Sequence, residues 1–133
     1  MAEKRKAYDV AIIGGGIGGL MAAYRMKEKK PSCRIVLLEK GTELSKRTCP
    51  MVSGRAKSCI GCAHCSIMEG MAGAGAFSDG KYVISTEYGG WLTEYLPETT
   101  VMDYIEQADA IMVRFGAQTE RFMPDDELKK ECL

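Results

Sequence analysis

Apolar and polar positions alternate in blocks that mark out the first forty residues. "YDVAII", Tyr8–Ile13, is a short apolar run rich in β-branched residues, the pattern of a strand buried on both faces of a parallel sheet. "GGGIGG", Gly14–Gly19, interrupts it. "IGGLMAAYRMKEKK" then predicts a helix that loses its apolar face at Lys27–Lys30 and is stopped by Pro31. "CRIVLLEK", Cys33–Lys40, predicts a second buried strand. Together these segments form a strand–turn–helix–strand unit of about 32 residues.

From Gly41 to Lys81 no period is visible, and Gly, Ser, Thr, Lys and Cys dominate. A structureless stretch of that length is unusual in a compact domain unless something binds to it. "KYVIST", Lys81–Thr86, predicts a strand. "PETTVMDYIEQADAIMVRFGA" predicts an amphipathic helix, with Val101, Ile105, Ala108, Met112 and Phe115 on one face. Thr100 suits its cap, Asp103 its first turn and Gly116 its end. "MPDDELKKECL" begins a further helical turn, and no internal repeat is present.

Composition narrows the function classes. Fifteen glycines among 133 residues imply several backbone positions with no room for a side chain. A length of 133 residues suggests one domain, and 46% apolar residues suffice for a core. Net charge is zero but unevenly spread: residues 1–40 carry nine basic and four acidic side chains, residues 81–133 five and eleven. A nucleic-acid partner would call for a dominant basic surface, which this balance does not give. The acidic last third reads as a solvated helical face. The basic start followed by an apolar run resembles a signal peptide only superficially, because five glycines break the run and no cleavage site follows. No segment is apolar enough for long enough to span a bilayer. A reducing, cytoplasmic setting with no membrane partner is expected, and there clustered cysteines point to metal or redox sites rather than disulfides.

The glycine run carries the clearest chemistry. Gly14-x-Gly16-x-x-Gly19 follows a buried strand and opens a helix, Ala23 lets that helix lie close to the sheet, and Glu39 ends the second strand. Gly14 permits a tight turn, Gly16 lets backbone N–H groups approach a pyrophosphate, and Gly19 allows close helix–strand packing. The helix N-terminus adds unpaired N–H groups and a positive dipole end. Glu39, followed by Lys40, can accept hydrogen bonds from an adenosine ribose, and its charge would repel a 2′-phosphate. That favours FAD or NAD over NADP. The position near the N-terminus, with a long glycine-rich loop after it, tilts towards FAD.

The second candidate region is "GMAGAGAFSDGK", Gly70–Lys81. Gly73 and Gly75 remove side chains, while Ser78 and the amides around Asp79 and Gly80 are candidates to bond a flavin or its pyrophosphate. Just upstream, Cys59, Cys62 and Cys65 have the C-x2-C-x2-C spacing of a ferredoxin run, and Cys49 precedes a proline. The four cysteines are candidate ligands of an iron–sulfur cluster or of zinc, although in ferredoxins the Cys-Pro comes last. A redox dithiol or ordinary reduced thiols fit the spacing as well. His64 reads as a loop residue more readily than as a ligand. Cys33 and Cys132 read as structural, and Arg47, Arg55 and Lys57 as cations facing either phosphates or solvent.

"YDVAIIGGGIGGL", "VLLEKG", "KRTCP", "C-x2-C-x2-C-SIM-x-G", "GAGAFSDGK" and "GGWLTEYL" together give a resemblance that covers nearly the whole chain. The chain resembles the N-terminal part of a family of prokaryotic FAD-dependent dehydrogenases, flavoproteins with an N-terminal dinucleotide-binding unit. The resemblance implies that the Gly70–Lys81 segment lies beside FAD. It also implies that the cysteines are not needed for FAD binding, since a branch of the family lacks them. Where the family has two glycines before "AGAFSDGK", this chain has Ala72-Gly73, a change tolerated if Ala72 does not contact the flavin. Members are considerably longer, so the resemblance implies that the chain is a fragment, with further sheet strands and most of a substrate domain beyond Leu133.

The expected fold is α/β: a partial Rossmann-like FAD/NAD(P)-binding domain of βαβ type with a loop-rich extension and a C-terminal helix. Residues 1–40 are the dinucleotide unit, 41–90 the Cys/Gly-rich cofactor loop, and 91–133 the helical start of a substrate region. The expected role is the FAD-binding portion of a flavin-dependent oxidoreductase acting on an unknown small molecule, with NAD(P)H a candidate electron donor. No catalytic acid or base is assigned. The alternatives are an NAD-binding domain of an oxidoreductase, or a non-catalytic nucleotide- or metal-binding sensor or scaffold module.

Overall fold

The computed structural model of the protein describes residues 7–122. The chain falls into two compact units, Met1–Lys81 and Tyr82–Leu133. The helical turn expected at "MPDDELKKECL" and the structural role expected of Cys132 fall outside the described residues.

In the first unit, β1 (Val10–Ile13) and β2 (Ile35–Leu38) pair in parallel, with Val10 opposite Ile35 and Ile13 opposite Leu38. The Gly14 N–H to Leu38 carbonyl bond, 2.7 Å, carries the ladder one step past the strands. The connection is α1 (Ile17–Lys29), whose N-cap is Gly16. Lys27 and Lys29 sit in its last turn, where cations complement the helix dipole. The Lys27 ammonium donates to the carbonyls of Pro31 and of Cys33, the latter at 3.1 Å, and so closes the helix end onto the start of the second strand. Below the strands, Asp9 takes the Arg34 backbone N–H at 2.7 Å and its guanidinium at 3.0 Å. Cys33 is buried beside this junction, at the bottom of an open groove of about 560 Å³ lined by Val10, Ala22 and Met26 among others.

The sequence pattern predicted strands buried on both faces. Here they are half-buried, with Ile13 79% and Leu38 52% exposed. One helix covers one face of a two-stranded sheet, and an apolar run of this kind needs a layer on each side. After β2 the chain makes a 3-10 turn at Leu44–Lys46 and another at Ala74–Phe77, with irregular structure between them.

In the second unit, α2 (Glu98–Arg114) is the main element. Its end is a Schellman motif: Gly116, at φ +104°, donates to the Val113 carbonyl and Ala117 to that of Met112, both at 3.0 Å. Its start differs from expectation. The N-cap is Pro97, and Thr100 lies inside the first turn with its N–H on the Pro97 carbonyl. Glu98, not Asp103, is the first-turn acid, and it accepts the Thr86 hydroxyl at 2.7 Å. Lys81–Thr86 is not a strand, because among the described residues no free sheet edge pairs with it. On the helix face Val101 is buried, but Ala108 and Phe115 are exposed and Asp109 is buried in their stead. The Asp109 carboxylate receives the Tyr82 hydroxyl at 2.7 Å and the Arg121 guanidinium at 2.6 Å, so it clasps the segments on either side of the helix. These two donors, Arg121 first, hold its carboxyl below the usual range, and the bond to Asp109 raises the Tyr82 hydroxyl.

Candidate functional site

The loop after β1 is built for close approach. Gly14 sits at φ +103°, where a side chain would strain the backbone. A Cβ on Gly19 would lie 2.0 Å from the Gly14 carbonyl oxygen, so only glycine lets α1 start against the turn. At Gly16 the opposite holds: a Cβ there would meet nothing within 4 Å. Open space therefore stands over the turn, at the end of α1 where backbone N–H groups lack helical partners. A helix start with open space over its free N–H groups is the general setting in which proteins bind phosphate groups.

Glu39, one residue past β2, turns back towards this glycine turn. One carboxylate oxygen accepts the Gly15 N–H at 2.6 Å and the other the Gly41 N–H at 2.9 Å. These bonds, Gly41 first, hold its carboxyl below the usual range and keep it charged. Each oxygen retains a lone pair for a hydroxyl donor. Lys40 is turned away from this work, its ammonium 3.0 Å from a Glu69 carboxylate oxygen.

The glycine-rich loop comes to the same turn. The Ala72 N–H donates to the Gly15 carbonyl at 2.8 Å, and a Cβ on Gly73 would stand 3.2 Å from the Gly16 Cα. The Met71 sulfur packs where a Gly15 side chain would be. Two regions far apart in sequence, Gly14–Gly19 and Gly70–Gly73, are thus one surface. Gly75 faces open space. Ser78, Asp79 and Gly80 form a turn closed on itself: Gly80 N–H donates to the Ser78 hydroxyl at 3.0 Å and Lys81 N–H to Asp79 at 3.3 Å. The Lys81 ammonium, 3.0 Å from Asp79, holds that carboxyl below its usual range.

Arg47 is the residue the sequence pattern placed least well. It does not face solvent: it is 5% exposed. Its guanidinium donates to the carbonyls of Ser66, Ile67, Met71 and Gly73 at 2.7 to 2.9 Å and lies 4.7 Å from the Phe77 ring centre. Gly41 and Gly70 were likewise not singled out. Their backbones touch, a Cβ on Gly41 standing 2.6 Å from the Gly70 Cα. A glycine directly after the strand-end acid was the available signal for the first of these.

The cysteines do not form the expected ligand set. Among the described residues no group of three or more His, Cys, Asp or Glu side chains is placed to hold a metal ion. Cys59 and Cys62 are exposed, Cys49 and Cys65 half-buried, and all four are free thiols. The loop folds through Cys65 by main-chain bonds, its carbonyl taking the Met68 and Glu69 N–H groups. His64 lies against Glu69 at 3.3 Å. Arg55 pairs with the Ser53 hydroxyl at 3.0 Å.

A βαβ unit with a glycine cradle and a charged acid at the end of its second strand is a Rossmann-like nucleotide-binding segment. Residues 12–48 match a family model described as an NAD(P)-binding Rossmann-like domain. Over 38 residues the chain is 47% identical to the mitochondrial L-2-hydroxyglutarate dehydrogenase of Dictyostelium discoideum, a stretch amounting to 29% of this chain. The match spans 8% of that dehydrogenase's length. No solved structure matches the chain. No helix among the described residues is long and apolar enough to cross a membrane.

Proposed function

We propose that the chain supplies the FAD-binding portion of a flavin-dependent oxidoreductase. The observation that carries this is the joint geometry of Gly16 and Glu39. An open cradle at the start of α1 stands beside a carboxylate already anchored to the cradle's own backbone through the Gly15 N–H at 2.6 Å. The similarity of 38 residues to a dehydrogenase supports the reaction class, and the NAD(P)-binding description of residues 12–48 supports the nucleotide. The loop of residues 70–77 supports a flavin, since it adds a second, close-packed wall to the cradle.

Bound flavin would accept and pass on the electrons; this chain's residues would bind and orient it. The cradle at Gly16 would take the pyrophosphate, and Glu39 the adenosine ribose hydroxyls. Gly14 and Gly19 would shape the turn. Gly73 and Gly75, with Ser78, Asp79 and Gly80 beyond them, would border the rest of the cofactor. No substrate follows from a match of 38 residues. A second reading, NAD in the same cradle, is favoured by the family description alone.

An absorption spectrum of the purified full-length protein, followed by titration with FAD, NAD and NADP, tests the proposal. Flavin bands with micromolar or tighter FAD binding are expected. Binding of NAD with none of FAD would establish the second reading, and a preference for NADP would contradict the role given to Glu39.

A further inference from the structure

We infer that Arg47 is a positioning residue, which seats the loop of residues 70–77 on the glycine turn before any nucleotide arrives and so sets nucleotide affinity. This rests on the nucleotide-binding role proposed above.

A buried guanidinium is costly unless its charge and its N–H groups are compensated. At Arg47 the hydrogen-bond partners are all main-chain: four carbonyl oxygens, from Ser66 and Ile67 on one turn and Met71 and Gly73 on the next, with the Phe77 ring beside the guanidinium. Four of the five guanidinium N–H donors are thereby engaged, which leaves little for a phosphate. What the fork grips is the segment that touches the cradle. Met71 and Gly73 flank Ala72, whose N–H bonds the Gly15 carbonyl at 2.8 Å. The gripped backbone holds one strained residue: Ala72 lies at φ +70°, whereas Gly70 and Gly73, at +121° and +62°, adopt positive φ without cost. An alanine in the left-handed region persists only where the surroundings over-determine it. Arg47 from one side and the cradle from the other supply that constraint. Nucleotide then meets a wall already in place, and the ordering cost falls outside the binding step. Lysine cannot substitute, since a single ammonium has no planar fork to span two turns.

The test uses full-length protein, with Arg47→Lys compared to Asp9→Asn. The second variant removes an exposed ion pair below the strands and leaves the loop untouched. Two quantities are read: amide hydrogen exchange at Met71–Gly73 without nucleotide, and the Kd for FAD. In Arg47→Lys, exchange at these amides should quicken, and the Kd rise, by about ten-fold or more. In Asp9→Asn both should stay within about two-fold. Unchanged exchange or unchanged Kd in Arg47→Lys overturns the inference, as does equal loosening in Asp9→Asn. Should Arg47→Lys fail to fold, Phe77→Leu removes the ring beside the guanidinium and keeps the four hydrogen bonds; smaller shifts in the same direction are expected, and no shift overturns the inference. Wild-type protein that binds neither FAD nor NAD overturns the functional proposal itself, a result seen before any variant is made.

Discussion

Ala72 carries a backbone conformation that belongs to glycine. At φ +70° its Cβ crowds the following carbonyl, at a cost of roughly 1–2 kcal/mol. Glycine would remove that cost and return part of it as unfolded-state entropy. Ala72→Gly should therefore stabilise the protein by about 0.5–1 kcal/mol in urea unfolding; a loss of stability would show that the methyl packs usefully. Glu39 answers to two demands, holding the Gly15 and Gly41 amides while offering lone pairs outward. Glu39→Ala should weaken FAD binding about ten-fold or more, since bonds to a charged acceptor are lost. Equal FAD affinity in the variant, by fluorescence titration, would remove Glu39 from the site. The tight turn at Gly14 and the close helix approach at Gly19 were readable from the sequence because their spacing is local and each glycine has one mechanical reason to stand there. Arg47 was not, because its four acceptors are carbonyls 19 to 26 residues away, and carbonyls leave no signature in a sequence.

Among the elements, β1, α1 and β2 fall where the apolar blocks predicted, because a strand–turn–helix–strand unit is written in adjacent residues. The strand expected at Lys81–Thr86 fails for the converse reason: a strand exists only with a partner, and its own residues cannot supply one. The stripe on α2 departs from expectation at Ala108 and Phe115, which are exposed, while Asp109 becomes buried through Tyr82 and Arg121, which lie 27 and 12 residues away. The ion pair joining the starts of β1 and β2 gives the sheet an acid sensitivity. The Arg34 side chain and N–H lower the Asp9 carboxyl from 3.8 to about 2. A carboxyl lowered in the folded state stabilises fully above its unfolded value and ceases to as pH falls through the folded one. Stability should therefore decline between about pH 4 and pH 2, and Asp9→Asn should flatten that limb. Unfolding curves collected across this range would show it; a parallel limb in the variant would place the sensitivity elsewhere.

Across the whole molecule, apolar side chains outnumber the places that bury them. Among the described residues only Cys33 and Val101 are buried hydrophobics, while Ile13, Tyr88, Trp91, Tyr95, Phe115 and Phe122 are each more than 70% exposed. Apolar side chains left in water forgo the stabilisation that burial gives. The 133-residue chain by itself should accordingly bind the dye ANS and unfold over a broad range. A sharp, dye-free thermal transition would show that these side chains find cover within the chain. The sequence announced the apolar content but not its exposure, since burial depends on neighbours that periodicity does not reveal.

The Arg47 clamp bears on how the loop can drift over generations. Its acceptors belong to the peptide bond rather than to any side chain, so a point mutation at Ser66, Ile67 or Met71 changes the residue and leaves the carbonyl. Variation should therefore be tolerated on the gripped side and refused on the gripping side. In a library covering residues 47, 66, 67 and 71, one column would be nearly monochrome amid varied neighbours, and that column would be the arginine.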